Sequence, residues 1–225
     1  MKRALTISLL LLCAAQIQAQ HYNDARLWLS GNVQKKLSNK FSANFTESVR
    51  MYENYTQLGQ VYSDFGLRYK ISKNWRVAGH VRLSKNRKNQ ETFTSRIRFY
   101  ADVAYKQKAG KFLDFVFRAR YQSQYTDYNR SKNGHSPSNH LRLKTTMNFD
   151  LNKRYTPYLA GELFFQRSYS DNKNRFDQTR FSAGLLYDID KKNQVDVHYM
   201  VNTNFNNNNQ GARYYVLSLN YYYSF

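Results

Sequence analysis

Positively charged side chains recur at every second position in the middle of this 225-residue chain. Three such pairs are Arg96 and Arg98, Arg118 and Arg120, and Arg142 and Lys144. Because successive side chains of a β-strand point to opposite faces, both members of each pair would lie on the same face. Three neighbouring strands would then place six cations on one wall, which is suited to holding or selecting anions.

Carboxylates and further arginines fall in the same register. The predicted charged face comprises Arg68, Arg82, Arg96, Arg98, Asp102, Asp114, Arg118, Arg120, Arg142, Lys144, Asp188 and Asp196, and Asp64 and Glu162 join it. Two interpretations stay open. The charges could form an ion-pair network that fills a narrow lumen, or they could form a basic constriction that selects anions.

The histidines offer little catalytic or metal-binding pattern. They are His21, His80, His135, His140 and His198, and no His-x-His or HExxH spacing occurs among them. His80 lies near Ser84 and His198 near Ser182, as a serine hydrolase would need. No surrounding motif supports either pair. We therefore predict no enzyme, no metal site and no cofactor.

The charged positions belong to long alternating segments. Leu113, Phe115 and Phe117, for example, alternate with Asp114 and Arg118. These segments run for about 10 to 14 residues, longer than the 5 or 6 usual in soluble sheets and enough for a tilted membrane strand of about 9 to 11. The pattern predicts an all-β chain that forms a transmembrane antiparallel up-and-down β-barrel.

Short and long connections alternate between the segments, as in outer-membrane barrels. Short basic turns are predicted at 37–40, 72–74, 106–111, 152–156 and 190–193, and longer connections at 53–60, 85–92, 127–139, 168–178 and 206–211. Eleven segments result, whereas single-chain bacterial barrels normally have an even number. Either ten close and the segment of Trp28 packs against or inside them, or there are twelve, so we expect 10 to 12 strands.

The last segment ends the chain at Phe225, with Tyr223 and Tyr221 in the same register. This end resembles the closing strand of bacterial outer-membrane barrels. The resemblance implies that Tyr221, Tyr223 and Phe225 form an assembly signal read by the barrel-assembly machinery.

The first residues are typical of a cleaved secretory leader. Lys2 and Arg3 precede a mostly apolar run, and Ala19 offers a cleavage point before Gln20. The single cysteine, Cys13, falls within this leader. We therefore expect a signal peptide over residues 1–19, a single barrel domain over 20–225, and no disulfide or thiolate chemistry in the mature chain.

The net charge of +20 suggests an anionic partner. Nucleic acid is the usual partner of a basic chain this rich in aromatics, with 20 Tyr and 15 Phe. The leader argues against it, because an exported protein meets little nucleic acid. Outer-membrane lipid, through its phosphates, is the expected partner.

Several short sequences resemble a known family. They are Leu27-Trp28-Leu29, Glu47 with Arg50, Phe65-Gly66-Leu67-Arg68-Tyr69, Phe117-Arg118-Ala119-Arg120-Tyr121 and Leu141-Arg142-Leu143. They are similar to an uncharacterised family of Bacteroidetes outer-membrane barrels, a domain of unknown function. This resemblance implies a barrel and assigns no catalytic residue.

The sequence therefore predicts an outer-membrane barrel, structural or pore-forming, with a charged lumen. Three alternatives remain: a narrow anion-preferring diffusion channel, a lipid-modifying barrel enzyme, and a soluble basic β-sandwich that binds polyanions. The oligomeric state is left open.

Overall fold

The structure is a computed structural model that describes residues 23–89, 91–126, 137–152, 154–167, 174–205 and 212–225. The predicted leader lies outside these residues, as do His21 and His135. Eleven strands are formed: β1 Asn23–Lys36, β2 Phe41–Tyr52, β3 Gln57–Lys70, β4 Trp75–Arg87, β5 Phe93–Lys108, β6 Leu113–Thr126, β7 Ser138–Phe149, β8 Tyr155–Arg167, β9 Asn174–Asp188, β10 Asn193–Asn204 and β11 Ala212–Ser224. The described residues contain no helix that is long and apolar enough to cross a membrane.

The eleven strands close into one barrel, each antiparallel to its neighbours in the chain. This confirms the predicted barrel, with one correction: β1 and β11 pair in parallel. Both strands run toward the same rim, because an odd number of up-and-down strands brings the first and last into the same direction. The segment of Trp28 is therefore a strand of the wall, and Trp28 lies in register with Ser218 across the parallel seam.

The two faces of the sheet are inverted relative to a soluble protein. Apolar side chains point outward, as do Phe65, Leu67 and Phe181, which are 53 to 63% exposed. Among the described residues, fifteen polar or charged side chains are buried, against nine hydrophobic ones. A β-sandwich needs an apolar core between two sheets, so the soluble sandwich considered above is wrong. The barrel encloses a polar lumen.

Four short turns share one stabilising device, and they define what we call the short-turn rim. Ser38, Ser72, Asn152 and Asp190 each accept hydrogen bonds from the backbone N–H groups two and three residues further on, at 2.7 to 3.2 Å. Such side chains replace turn hydrogen bonds that the backbone cannot make. The fifth turn instead has Gly110 at φ 83°, a conformation that glycine adopts without steric cost.

The turn at Asp190 gives a pH-dependent prediction. Hydrogen bonds from the N–H groups of Lys192 and Asn193, and from the Asn193 side chain, hold the pKa of the Asp190 carboxyl below its ordinary value. A lowered folded-state pKa stabilises the fold at pH values above the unfolded pKa of about 4, and the contribution disappears as the pH falls through the folded pKa. Asp190→Ala should therefore lower the thermal midpoint at neutral pH, and the difference from wild type should vanish in acid. A difference that is constant across pH would contradict this role.

On the opposite rim, which we call the long-connection rim, the first connections between strands are shorter than predicted. The first two connections span only 53–56 and 88–92, because β3 begins at Gln57 and β4 continues to Arg87. A register shift between Arg50 and Met51 coincides with Gly59 in β3, where a Cβ would lie 2.1 Å from the Tyr52 ring. Glycine is needed at this close approach. The other long connections fall largely outside the described residues.

Glu47 is an exception on the outward face. It lies opposite Gly31 and Ser63, well inside β2, and it is exposed. Period-two alternation places Glu47 in register with Phe45 and Val49. The register shift between β2 and β3 lies beyond it, toward the long-connection rim, and leaves its outward orientation unchanged.

Candidate functional site

The inward register of β2, β4–β7 and β9 concentrates cations in the middle of the lumen. We call this set the cation band: Arg50, Arg82, Arg96, Arg98, Arg118, Arg120, Arg142, Lys144 and Arg180. Several members face one another directly across strands, as do Arg82 and Arg98, Arg120 and Arg142, and Arg118 and Lys144. Like charges in such positions repel one another, so carboxylates and aromatic rings must offset part of the repulsion.

Asp64 compensates one side of the band. It is 4% exposed and accepts hydrogen bonds from Arg82 Nε at 2.7 Å and from the Tyr100 hydroxyl at 2.6 Å. His80 Nδ1 lies 2.9 Å from its other oxygen. Gly66 makes room for this contact, because a Cβ there would lie 2.3 Å from the His80 ring. Nearby, Asp102 binds Arg120 through two hydrogen bonds of 2.6 and 2.7 Å.

Glu162 compensates the other side and is shared by three arginines. Its carboxylate accepts hydrogen bonds from Arg118 at 2.6 Å, from Arg142 at 3.0 Å and from Arg180 at 3.4 Å. Glu162 is 3% exposed and Arg142 8% exposed. One buried negative charge therefore serves three positive ones.

Three cations of the band have no carboxylate partner among the described residues. Arg50 donates to Gln60 at 2.8 Å, and Arg98 donates only to the side-chain oxygen of Gln124. Lys144 makes neither a hydrogen bond nor an ion pair within the described part of the chain. The band thus carries uncompensated positive charge.

Aromatic rings cover several guanidinium groups of the band. Arg50 lies 3.7 Å from the centre of the Trp28 ring. Arg82 lies 3.9 Å from that of Tyr62, and Arg120 lies 3.9 Å from that of Tyr100. The negative face of an aromatic ring attracts a cation without contributing a formal charge. These rings hold the arginines in place and leave the electrostatic surplus unchanged.

The count of charges gives the sign of the lumen. Leaving Arg96 aside, eight cations of the band face four carboxylates among the described residues, Asp64, Asp102, Glu162 and Asp196, which leaves a surplus of four positive charges. Asp196 itself is occupied by the Tyr158 hydroxyl, by Asn220 and by His198. The middle of the lumen is therefore strongly electropositive.

Cavities lie in the lumen and at its mouth. A central cavity of about 230 Å³ is lined by Arg118, Lys144, Arg180 and Tyr222, among others. A second cavity of about 300 Å³ opens at the short-turn rim and is also lined by Tyr222. The ring of Tyr222 thus lies between the mouth and the central cavity.

Some predicted lumen charges lie away from the band. Arg68 donates to Gln34 at 3.1 Å and lines the mouth at the short-turn rim, as does Asp188. Asp114 forms an ion pair of 2.5 Å with Lys106 near the same rim. Sequence reasoning left Arg50 and Arg180 out of the candidate set. Their alternation with Val49 and Phe181 was the signal that could have found them.

The predicted serine–histidine pairs are not formed. His80 contacts Asp64 and His198 contacts Asp196, while the Ser84 hydroxyl donates to Asn86. His140, at the long-connection rim, instead has Ser138 at 3.5 Å and Asp177 at 3.4 Å. Both distances exceed the 2.6 to 3.2 Å expected between a nucleophile, its base and an orienting group. Among the described residues, no cluster of three or more potential ligands could hold a metal ion.

The residues of the predicted assembly signal lie on the outward face at the short-turn rim. Tyr221 is 44% exposed and Phe225 50% exposed, and the rings of Tyr223 and Phe225 stack with centres 5.6 Å apart. The Phe225 N–H donates to the Gln34 carbonyl, and its own carbonyl accepts from Lys36, both at 3.0 Å. The end of the chain is thus part of the parallel seam.

The barrel fold agrees with comparison to known proteins. The model of the family described as Protein of unknown function (DUF2490) matches residues 25–213. The chain belongs to this family. The family supplies no activity, and the predicted resemblance to an uncharacterised barrel family is confirmed. A comparison with curated proteins finds no match.

Solved structures with a similar fold are porins and a transporter domain. The NanC porin is 15% identical, with a TM-score of 0.50 over 84% of this chain and 93% of that one. The β domain of the Bordetella autotransporter BrkA is 11% identical, with a TM-score of 0.52 over 84% and 86%. The KdgM porin, in complex with disordered oligogalacturonate, is 14% identical, with a TM-score of 0.47 over 79% and 88%. The first two likenesses show a porin-like barrel fold.

Proposed function

We propose that this family member is an outer-membrane channel that prefers small anions. A porin-like barrel suits either a channel or a structural role. The observation that favours the channel is the surplus of four positive charges among the described residues of the cation band, Arg96 left aside. Rings of charged side chains determine which ions enter a pore. A lumen that needed only to be filled would be more stable with balanced charges or apolar side chains.

The outward face supports a location in the outer membrane. Strands of 12 to 16 residues are long enough to cross a bilayer when tilted. Aromatic pairs lie near the short-turn rim, including Phe41 with Tyr69 and Trp75 with Tyr105, whose ring centres are 4.7 and 4.8 Å apart. Outer-membrane barrels carry such rings at the membrane interfaces. Export through a leader over residues 1–19 is part of the same proposal.

The partners we propose follow from two features of the short-turn rim. At the short-turn rim, Lys36, Lys40, Lys70 and Arg76 line a cavity of about 490 Å³ that contains no carboxylate side chain. Lipid phosphates are suitable ligands for these groups. The outward aromatic end at Phe225 would be read by the barrel-assembly machinery. We propose no nucleic-acid partner.

We propose neither a catalytic role nor a cofactor for this protein. Each lumen histidine of the central region is bound to an aspartate rather than to a hydroxyl nucleophile. A narrow lumen is expected from the strand number, because barrels of about eight strands are filled by side chains and those of 16 to 18 hold a wide aqueous channel. Small ions are therefore the proposed solutes.

Ion flux from liposomes tests this proposal. The purified protein is reconstituted into KCl-loaded liposomes, and the release of each ion is followed with an ion-selective electrode. A carrier for the counter-ion maintains charge balance in each measurement. Chloride should be released faster than potassium. Liposomes with heat-denatured protein are the control. Equal or faster potassium release, or no release above the control, would overturn the channel function.

A further inference from the structure

The central cavity has the composition of a binding site for one small multivalent anion. Its lining contains five cations, Arg50, Arg118, Arg142, Lys144 and Arg180, and two carboxylates, Glu162 and Asp196, a surplus of three positive charges. This surplus lies within a volume of about 230 Å³, whereas a diffuse selectivity ring spreads its charge around the wall. A local surplus of this size suits a ligand that carries more than one negative charge.

The three arginines at Glu162 have more donors than their protein partners can use. Each guanidinium carries five N–H donors, and one carboxylate offers about four acceptor positions. Apart from Glu162, Arg142 donates to Gln122 and Arg180 to Asn202. Most of the N–H groups therefore remain available to oxygen atoms of a ligand in the cavity.

Several buried donors in the lining have no hydrogen-bond partner in the part of the chain that the structure describes. These are the indole Nε1 of Trp28 and the Nε atoms of Arg50 and Arg118. Trp28 is 9% exposed. The ammonium group of Lys144 is likewise without a hydrogen bond or ion pair in the described ranges. A buried donor without an acceptor is costly, and such groups mark places where a bound ion or water completes the hydrogen bonding.

Lys144 occupies the central position of this donor set. It pairs in register with Arg118 on β6 and with Glu162 on β8. Lys144 therefore lies next to an arginine of the cluster on one strand and next to its shared carboxylate on the other. The lining also contains Ser48, Ser182, Ser218 and Tyr222, whose hydroxyl groups can donate to or accept from a polar ligand.

We propose that the central cavity binds one phosphate group, either as inorganic phosphate or as a small phosphate monoester. Four oxygens and two negative charges match the donors and the surplus of this cavity. Charge-assisted hydrogen bonds from guanidinium to phosphate are short and strong. Tyr222 lines both this cavity and the mouth at the short-turn rim, so it lies between the site and that rim. The site rests on the proposed anion preference and adds a ligand to it.

The two tryptophans permit a direct binding test. Trp28 lines the cavity, whereas Trp75 lies on the outward face and is 45% exposed. In a Trp75→Phe variant, the emission of Trp28 alone reports on the cavity. Inorganic phosphate and glycerol phosphate, titrated separately at constant ionic strength, should each give a saturable change if the site accepts a monoester. Saturation by inorganic phosphate alone would support the site and restrict it to the free ion. Acetate and chloride should give none.

Variants at Lys144 test the assignment of the donor set. Lys144→Gln should weaken phosphate binding about tenfold or more, since one charge-assisted hydrogen bond is lost, and Lys144→Arg should retain it. Lys73→Gln, on an exposed turn, is the matched control with the same loss of charge and should bind as wild type. Two results with the wild-type cavity would overturn the site: no saturable signal with either phosphate compound, or an equal signal with acetate. Neither result depends on whether the Lys144 variants fold.

The failure of this site can be told apart from the failure of the channel. If ion flux prefers chloride but phosphate binding is not saturable, the phosphate site is refuted and the proposed channel function is supported. If phosphate binding is saturable but no ion flux occurs, the phosphate site is supported and the channel function is refuted.

Discussion

Glu162→Gln should be among the most destabilising single substitutions in the barrel wall. Glu162 is 3% exposed and holds Arg118, Arg142 and Arg180. Removing one partner of a buried ion pair leaves an uncompensated buried charge and costs about 3–5 kcal/mol. Here one substitution leaves three guanidinium groups without their carboxylate. Urea unfolding in detergent, followed by the gel mobility of folded and unfolded forms, measures the loss.

Glu47→Gln is the matched control for this prediction. It makes the same chemical change on the outward face, where Glu47 is exposed. Neutralising an outward carboxylate should leave stability unchanged or raise it slightly, because a charge facing lipid is unfavourable. Equal urea midpoints for the two variants would refute the role of Glu162 as the shared counter-charge of the cation band.

The second large effect concerns ion preference. Arg50, Arg98 and Lys144 carry positive charges that no carboxylate offsets within the described residues. Changing all three to Gln lowers the surplus of the cation band from four to one, and no carboxylate loses a partner. The anion preference of the channel should fall toward a permeability ratio near unity, because the potential in the lumen sets the ion selectivity.

Three exposed lysines provide the control. Lys73, Lys108 and Lys111 lie at the short-turn rim and are exposed. Changing them to Gln removes the same total charge. At these exposed positions, dissolved salt screens the electric field of each lysine charge over about 10 Å. The control triple should keep most of the wild-type preference. A loss as large as that of the lumen triple would show that net charge, not the cation band, determines selectivity.

Much of the barrel could be predicted from the alternation of the sequence. The inward positions of Arg118, Arg120 and Arg142 follow from period two alone, because a strand places every second residue on one face. The same reasoning gives the outward position of Glu47. The parity of the strand count pointed to a difficulty at the Trp28 segment, and a parallel seam resolves it.

The contacts within the lumen could not be predicted in the same way. Alternation gives the face of a residue but not its height in the barrel, which depends on the stagger between strands. Arg68, Asp114 and Asp188 were therefore grouped with the central charges, although they lie near the short-turn rim. The sharing of Glu162 by three arginines depends on three cross-strand registers at once. The bulge at Gly59, beside the first connection, is likewise visible only in the register between β2 and β3.

The reversal potential of single channels in a planar bilayer tests the central claim most directly. The measurement uses purified wild-type protein and a KCl gradient across the bilayer. Because the cation band favours anions, the reversal potential should have the sign of the chloride equilibrium potential. A reversal potential with the sign of the potassium equilibrium potential would contradict the anion-preferring channel. A conductance no higher than that of a protein-free bilayer would also contradict it.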